Sequence, residues 1–124
     1  MQLRKFGFFD ELPKEEAQLL LTQLRAEAPR PDEQKILAYL RGGLLLLAVP
    51  GVAFDLLANE VQVIGSPHVF TDGAWAWPEE LLFYIERYHI EVPREFYERM
   101  ERHRWVCPPV QNPQALELEG WQES

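Results

Sequence analysis

Val69-Phe70-Thr71-Asp72-Gly73-Ala74-Trp75-Ala76-Trp77-Pro78-Glu79-Glu80-Leu81-Leu82 packs three local signals into fourteen residues. Asp72-Gly73 is the dipeptide favoured at the centre of a two-residue type I′ hairpin turn, where both central residues adopt positive φ. That centre predicts a register with Thr71 facing Ala74, Phe70 facing Trp75, Val69 facing Ala76 and His68 facing Trp77. Opposed residues share a face, so one side of the ribbon is aromatic and the other small. The ribbon runs into Pro78, which suits a first helical turn because it has no N–H to leave unsatisfied, and Glu79 and Glu80 then lie at the positive end of the helix dipole. Leu81, Tyr84, Ile85 and Tyr88 follow at the i, i+3, i+4, i+7 spacing of one buried stripe, with Glu80, Glu86 and Arg87 mostly off it.

Phe70, Trp75 and Trp77 invite comparison with the aromatic platforms that stack nucleic-acid bases or sugars. Such platforms are accompanied by a cationic groove, and residues 42–86 contain neither Lys nor Arg. Core packing is the better reading of these rings. The chain carries 12 basic and 20 acidic residues for a net charge of −8, of which −6 falls in residues 63–124. A negative field disfavours nucleic acid and anionic membrane and favours encounter with basic partners.

With 124 residues and 47% hydrophobic content, the chain is long enough for one real core. No apolar run approaches the roughly 20 residues that span a bilayer. The apolar part of the N-terminus is too brief for a signal sequence, so a cytoplasmic location is expected. Cys107 is the single cysteine and has no disulfide partner within the chain.

Upstream of the ribbon, Phe6, Phe8 and Phe9 form an aromatic cluster too short to separate strand from extended arm. Ala17, Leu20, Leu21 and Leu24 recur at helical spacing, giving a helix from about Pro13 to Glu27 or Ala28 that Pro29 and Pro31 stop. Asp32 is expected to cap a second helix that buries Ile36, Leu37, Tyr39 and Leu40 and ends at Gly42-Gly43. Leu44 to Val49 reads as a fully buried strand, and Val61 to Ile64 as another. Downstream, Pro93 opens a helix with Phe96 and Met100 inward and a solvated ladder of Glu95–Arg99 and Glu98–Arg102 pairs. Cys107-Pro108-Pro109 and Pro113 are incompatible with helix, and Leu116, Leu118 and Trp121 punctuate the acidic segment that follows, as in an arm that docks through apolar anchors.

The catalytic inventory is thin. No nucleophile elbow, phosphate-binding loop, dinucleotide fingerprint or HExxH pattern is present. His68, His89 and Glu86 do not reach the three or four converging ligands that a metal requires, so no metal and no cofactor is expected. His103 and Cys107 are four apart, but a thiol in an exposed Pro-rich tail has nothing to hold an oxyanion.

The segments Tyr39-Leu40-Arg41-Gly42-Gly43, Thr71-Asp72-Gly73-Ala74-Trp75-Ala76-Trp77-Pro78, Tyr84, Tyr88-His89 and Val92-Pro93-Arg94-Glu95-Phe96 together resemble small uncharacterised proteins of high-GC bacteria that share a TDGxWxWP…VPxEF pattern. The resemblance covers about residues 36–106 and implies a fold rather than an activity. A looser similarity links the chain to toxin-immunity proteins.

The expected fold is a single α+β domain over residues 1–106: a helical pair, a small mainly antiparallel sheet with the Asp72-Gly73 hairpin, then two packed helices. Residues 107–124 form a Pro-rich acidic C-terminal arm. The leading functional expectation is a cytoplasmic protein-binding module, an immunity or inhibitor protein for a basic partner, met by Glu91, Glu95, Glu98, Glu101, Leu116, Leu118 and Trp121. The alternatives are a small-molecule-binding domain or small enzyme with a pocket near Trp75, Trp77, Tyr84 and His89, and a homo-oligomeric structural subunit.

Overall fold

The computed structural model describes residues 2–118, so Trp121 lies outside the described residues. The chain is an α+β domain built as β1 (Gln2–Lys5), α1 (Lys14–Leu24), α2 (Glu33–Arg41), β2 (Leu44–Leu47), β3 (Ala53–Phe54), β4 (Val63–Gly65), β5 (Val69–Thr71), β6 (Trp75–Pro78), α3 (Glu80–Tyr88), α4 (Arg94–Arg102) and β7 (Glu117–Leu118). The main sheet runs β2-β5-β6-β1-β7, and β3 and β4 form a separate two-stranded ribbon. The β2–β5, β5–β6 and β3–β4 pairings are antiparallel, while β1 lies parallel to both β6 and β7. The N-terminal segment is therefore an interior strand rather than an arm.

The hairpin is present, but its centre is one residue later than the dipeptide predicts. Thr71 pairs with Ala76, Phe70 with Trp77 and Val69 with Pro78. Asp72 keeps negative φ, and Gly73, at φ +96°, is the first central residue of the turn closed by the Asp72 N–H on the Trp75 carbonyl. The cause is the Asp72 side chain, whose Oδ1 accepts the N–H groups of Ala74 (2.9 Å) and Trp75 (2.7 Å) and so folds the turn around itself. Phe70 moves from Trp75 to Trp77, a slip of two, and an even slip leaves every side chain on its expected face.

The aromatic face carries the core. Trp75 stacks on Phe96 at 4.6 Å, Tyr39 meets Phe96 edge-on, and Trp77 is fully buried among residues from all four helices. The opposite face is a small satellite of Leu3, Val69 and Ala76, covered by Phe8, Leu46, Leu47, Val49 and Leu116, with no helix among the described residues. Helices on one face of one sheet make a two-layer architecture.

Several boundaries differ from expectation. α1 stops at Leu24 because Arg25 becomes extended and bridges Ile90, with the Ala26 N–H on the His89 carbonyl and the Glu91 N–H on the Leu24 carbonyl. β2 is an edge strand, not a buried one, and Leu45 is 50% exposed. Pro78 ends β6 instead of opening the helix, and Glu79 takes the N-cap position. Asp32 precedes α2 but gives its carboxylate to Arg30 and to the Tyr97 hydroxyl rather than to the helix N-terminus. No helix among the described residues is long and apolar enough to cross a membrane.

Candidate functional site

The expected pocket near Trp75, Trp77, Tyr84 and His89 does not form. Both tryptophans are core, and Trp77 Nε1 is a buried donor with no acceptor among the described residues. His89 takes a left-handed conformation (φ 55°) at the end of α3, and its Nδ1 lies 2.8 Å from buried Glu33 Oε2. His89 instead lines a separate open concavity with Arg25, Glu27, Arg87 and Tyr88, and Tyr84 alone of the four reaches the cavity beside the β3–β4 ribbon.

That cavity forms where the chain leaves β1 and crosses the start of α3. Gly7 makes the crossing: its φ is +98°, and a Cβ there would lie 3.1 Å from Leu81. This brings Phe9 and Asp10, from the short 3₁₀ turn Phe9–Glu11, over the first turn of α3. Glu79 fixes that turn from the other side, its N–H on the His68 carbonyl (2.8 Å) and its Oε2 accepting the Ser66 N–H (3.2 Å). The β3–β4 ribbon closes the third wall, where the Tyr84 hydroxyl donates to the Phe54 carbonyl (3.0 Å) and accepts the Leu56 N–H (3.0 Å). The enclosed space is about 70 Å³. It admits a few water-sized groups, and is far below the roughly 300–1,000 Å³ of sites for whole small molecules.

Glu80 faces this space. It is 6% exposed, and no hydrogen-bond partner for its carboxyl occurs among the described residues. Burial first, then the charges of Asp10 and Glu79, push its pKa up to about 7. Burial likewise holds the Tyr84 phenol above the usual range, although the Leu56 N–H works against it. Phe9 meets Tyr84 edge-on at 5.4 Å, and Phe54 completes an aromatic wall. No Lys or Arg lines the cavity.

The same ribbon is an exposed apolar surface. Val61 is 87% exposed, Val63 56% and Phe54 45%, and Val52 is also exposed, so the rim of the cavity and the ribbon face are continuous through Val52 and Phe54. Exposed aliphatics grouped on one element mark an interaction surface more often than scattered ones do.

The other anticipated site residues are dispersed. Glu95 pairs with Arg4, and Glu98 with Arg94 at 2.9 Å, while Glu91 and Glu101 are exposed and belong to no ion pair among the described residues. The expected Glu95–Arg99 and Glu98–Arg102 ladder is absent because Arg94 takes Glu98 and Arg99 turns inward, its Nε 2.9 Å from Asp72 Oδ2 and its Nη2 3.2 Å from the Asp72 carbonyl. Tyr39 donates its hydroxyl to the same Oδ2 at 2.5 Å. Leu116 is half-buried on the small face of the sheet, and Leu118 pairs through its backbone with Leu3. Cys107 packs on the core rather than in an exposed tail, and burial, with Asp72 nearby, raises its thiol to about 11, keeping it protonated and unreactive at neutral pH.

Glu80 is the site residue that sequence reading missed. A signal existed: Glu80 stands four before Tyr84 and eight before Tyr88, at the margin of the buried stripe. No protein-family model, no curated protein and no solved structure matches the chain.

Proposed function

We propose that this chain is a cytoplasmic protein-binding module that recognises a basic partner through the β3–β4 ribbon. The observation that carries the reading is the exposed apolar face of Val52, Phe54, Val61 and Val63 beside a cavity lined by Asp10 and Glu80. An apolar patch bordered by carboxylates complements a surface that offers aliphatic contact and positive charge. Residues 42–86, which include the whole ribbon, contain no Lys or Arg, and the net charge of −8 extends the same field over the molecule. The C-terminal arm is no longer the first place to look, because Leu116 is occupied by the chain's own sheet.

The test is a comparison between the parent and the double variant Val61→Asp, Val63→Asp as immobilised baits at low salt. Both side chains are exposed, so the melt of the variant should match the parent. A basic protein retained stoichiometrically by the parent and lost by the variant is the expected result. Equal retention by both baits, or retention only of an acidic protein, overturns the proposal.

A further inference from the structure

We propose that the Glu80 cavity is a receptor for a primary alkylammonium group, presented as a lysine side chain by the basic partner; the inference rests on the binding-module reading above. Glu80 is more than nine-tenths buried and faces the cavity without a hydrogen-bond partner among the described residues. Its oxygens are not sealed in the core but open into the cavity, where a ligand can meet them. Asp10 adds a second carboxylate to the lining, and among the described residues neither it nor Glu80 forms an ion pair. The remaining demand is for a donor that carries positive charge.

Shape narrows the ligand. Phe9, Phe54 and Tyr84 make an aromatic wall, which suits a methylene stem and attracts an ammonium group through the ring faces. A space of about 70 Å³ holds an ammonium and its first methylenes. The broader planar guanidinium needs two aligned oxygens and more room. A divalent ion is disfavoured, since no group of three acidic or metal-ligating side chains converges among the described residues. Phe54 and Val52 stand at the rim and on the exposed ribbon at once, so a lysine entering here would belong to a chain lying on that ribbon.

Proton release should accompany binding. The groups that act on Glu80 are Asp10 from the 3₁₀ turn and Glu79 from its own helix, with the Tyr84 phenol on the same wall; Lys14 lines the neighbouring concavity beyond Phe54 and Leu56. An ammonium favours the ionised carboxylate, so affinity falls as pH drops through the titration of Glu80.

The experiment is an amide NMR titration of the full chain with Nα-acetyl-lysine methylamide, beside its neutral norleucine counterpart and n-butylammonium. Saturable shifts at Gly7, Phe54 and Tyr84 are expected with the lysine and butylammonium probes and not with norleucine. Binding should be about tenfold weaker at pH 6 than at pH 8. Glu80→Gln should weaken binding at pH 8 at least tenfold while melting no earlier than the parent, and Asp10→Asn should give a smaller loss. Equal shifts with norleucine, unchanged binding by Glu80→Gln, or no saturation up to about 100 mM probe overturns the site. Binding of butylammonium without binding of the lysine amide overturns the lysine assignment and makes the site one for a free amine. These outcomes need no partner, so they stand apart from the fate of the Val61 and Val63 variants.

Discussion

Asp72 and Glu80 are both nearly fully buried, and only Asp72 has its carboxylate hydrogen-bonded to protein groups among the described residues. Asp72 accepts from Tyr39, Arg99, Ala74 and Trp75, so Asp72→Ala should strand a buried phenol and a half-buried guanidinium and unlock the turn. A loss of about 3–5 kcal/mol in urea melts is expected, the usual cost of breaking a buried charged pair. Glu80 behaves in the reverse sense. Its folded pKa of about 7 lies above the ordinary 4.5, so its favourable contribution is complete below about pH 4.5 and is lost as pH rises through 7. Glu80→Gln should therefore leave stability nearly unchanged at pH 4 and raise it by about 1–3 kcal/mol at pH 8, measured by paired denaturant melts. Two glycines separate space from backbone conformation. A Cβ at Gly43 would lie 2.6 Å from the Trp77 ring, and Gly43→Ala should cost about 1–3 kcal/mol by overpacking. At Gly73 a Cβ would meet only Val110 at 3.8 Å, so Gly73→Ala should cost about 1–2 kcal/mol through its positive φ alone.

At the scale of elements, β1 and β7 alter how the N-terminus and the arm are understood. β1 lies between β6 and β7, with Arg4 opposite Trp75 and its guanidinium 4.4 Å from the Trp75 ring, so the first residues are held by backbone pairing and by a cation over an aromatic face. The arm returns along the turn, past Asp72, Gly73 and Arg99, and seats Leu116 on the small face. Removing residues 112–124 should leave the helix-side core folded, because among the described residues none of its buried members comes from the arm. It should also uncover Leu3 and the outer edge of β1, and an uncovered edge strand promotes self-association. Light scattering against concentration checks this: the truncated chain should gain mass where the parent does not. An unchanged mass and an unchanged melt would show the arm to be dispensable to the sheet.

Across the whole molecule the charge is uneven in use as well as in sequence. Arg4 and Arg94 occupy Glu95 and Glu98, and exposed pairs of that kind contribute about 0–1 kcal/mol, which leaves Glu91 and Glu101 as the freer contributors to the field. Charges outside a contact act chiefly on the rate of encounter. Replacing Glu91 and Glu101 by Lys should slow association with a basic partner by about 3- to 10-fold at low salt and flatten its salt dependence, with the melt unchanged. Stopped-flow association at several ionic strengths reads this directly, and a rate indifferent to both would place recognition on the apolar ribbon alone.

Local periodicity was sufficient for the α+β class, for the stripe Leu81, Tyr84, Ile85 and Tyr88, and for the division of the hairpin into an aromatic and a small face. Those features depend on residues within a turn or two of one another, and the face division survives even a shifted register because side chains alternate with period two. Tertiary partners decided the rest. The turn centre moved because the Asp72 carboxylate binds the turn's own N–H groups, and Tyr39 and Arg99, from helices distant in sequence, hold that carboxylate by its other oxygen. β1 entered the sheet because β6 and β7 offered edges that its own short alternation could not reveal. Glu80 became buried because Gly7 lets the chain pass over Leu81 and the ribbon closes on Tyr84. Its helix alone would have left it at the margin of the stripe, in water.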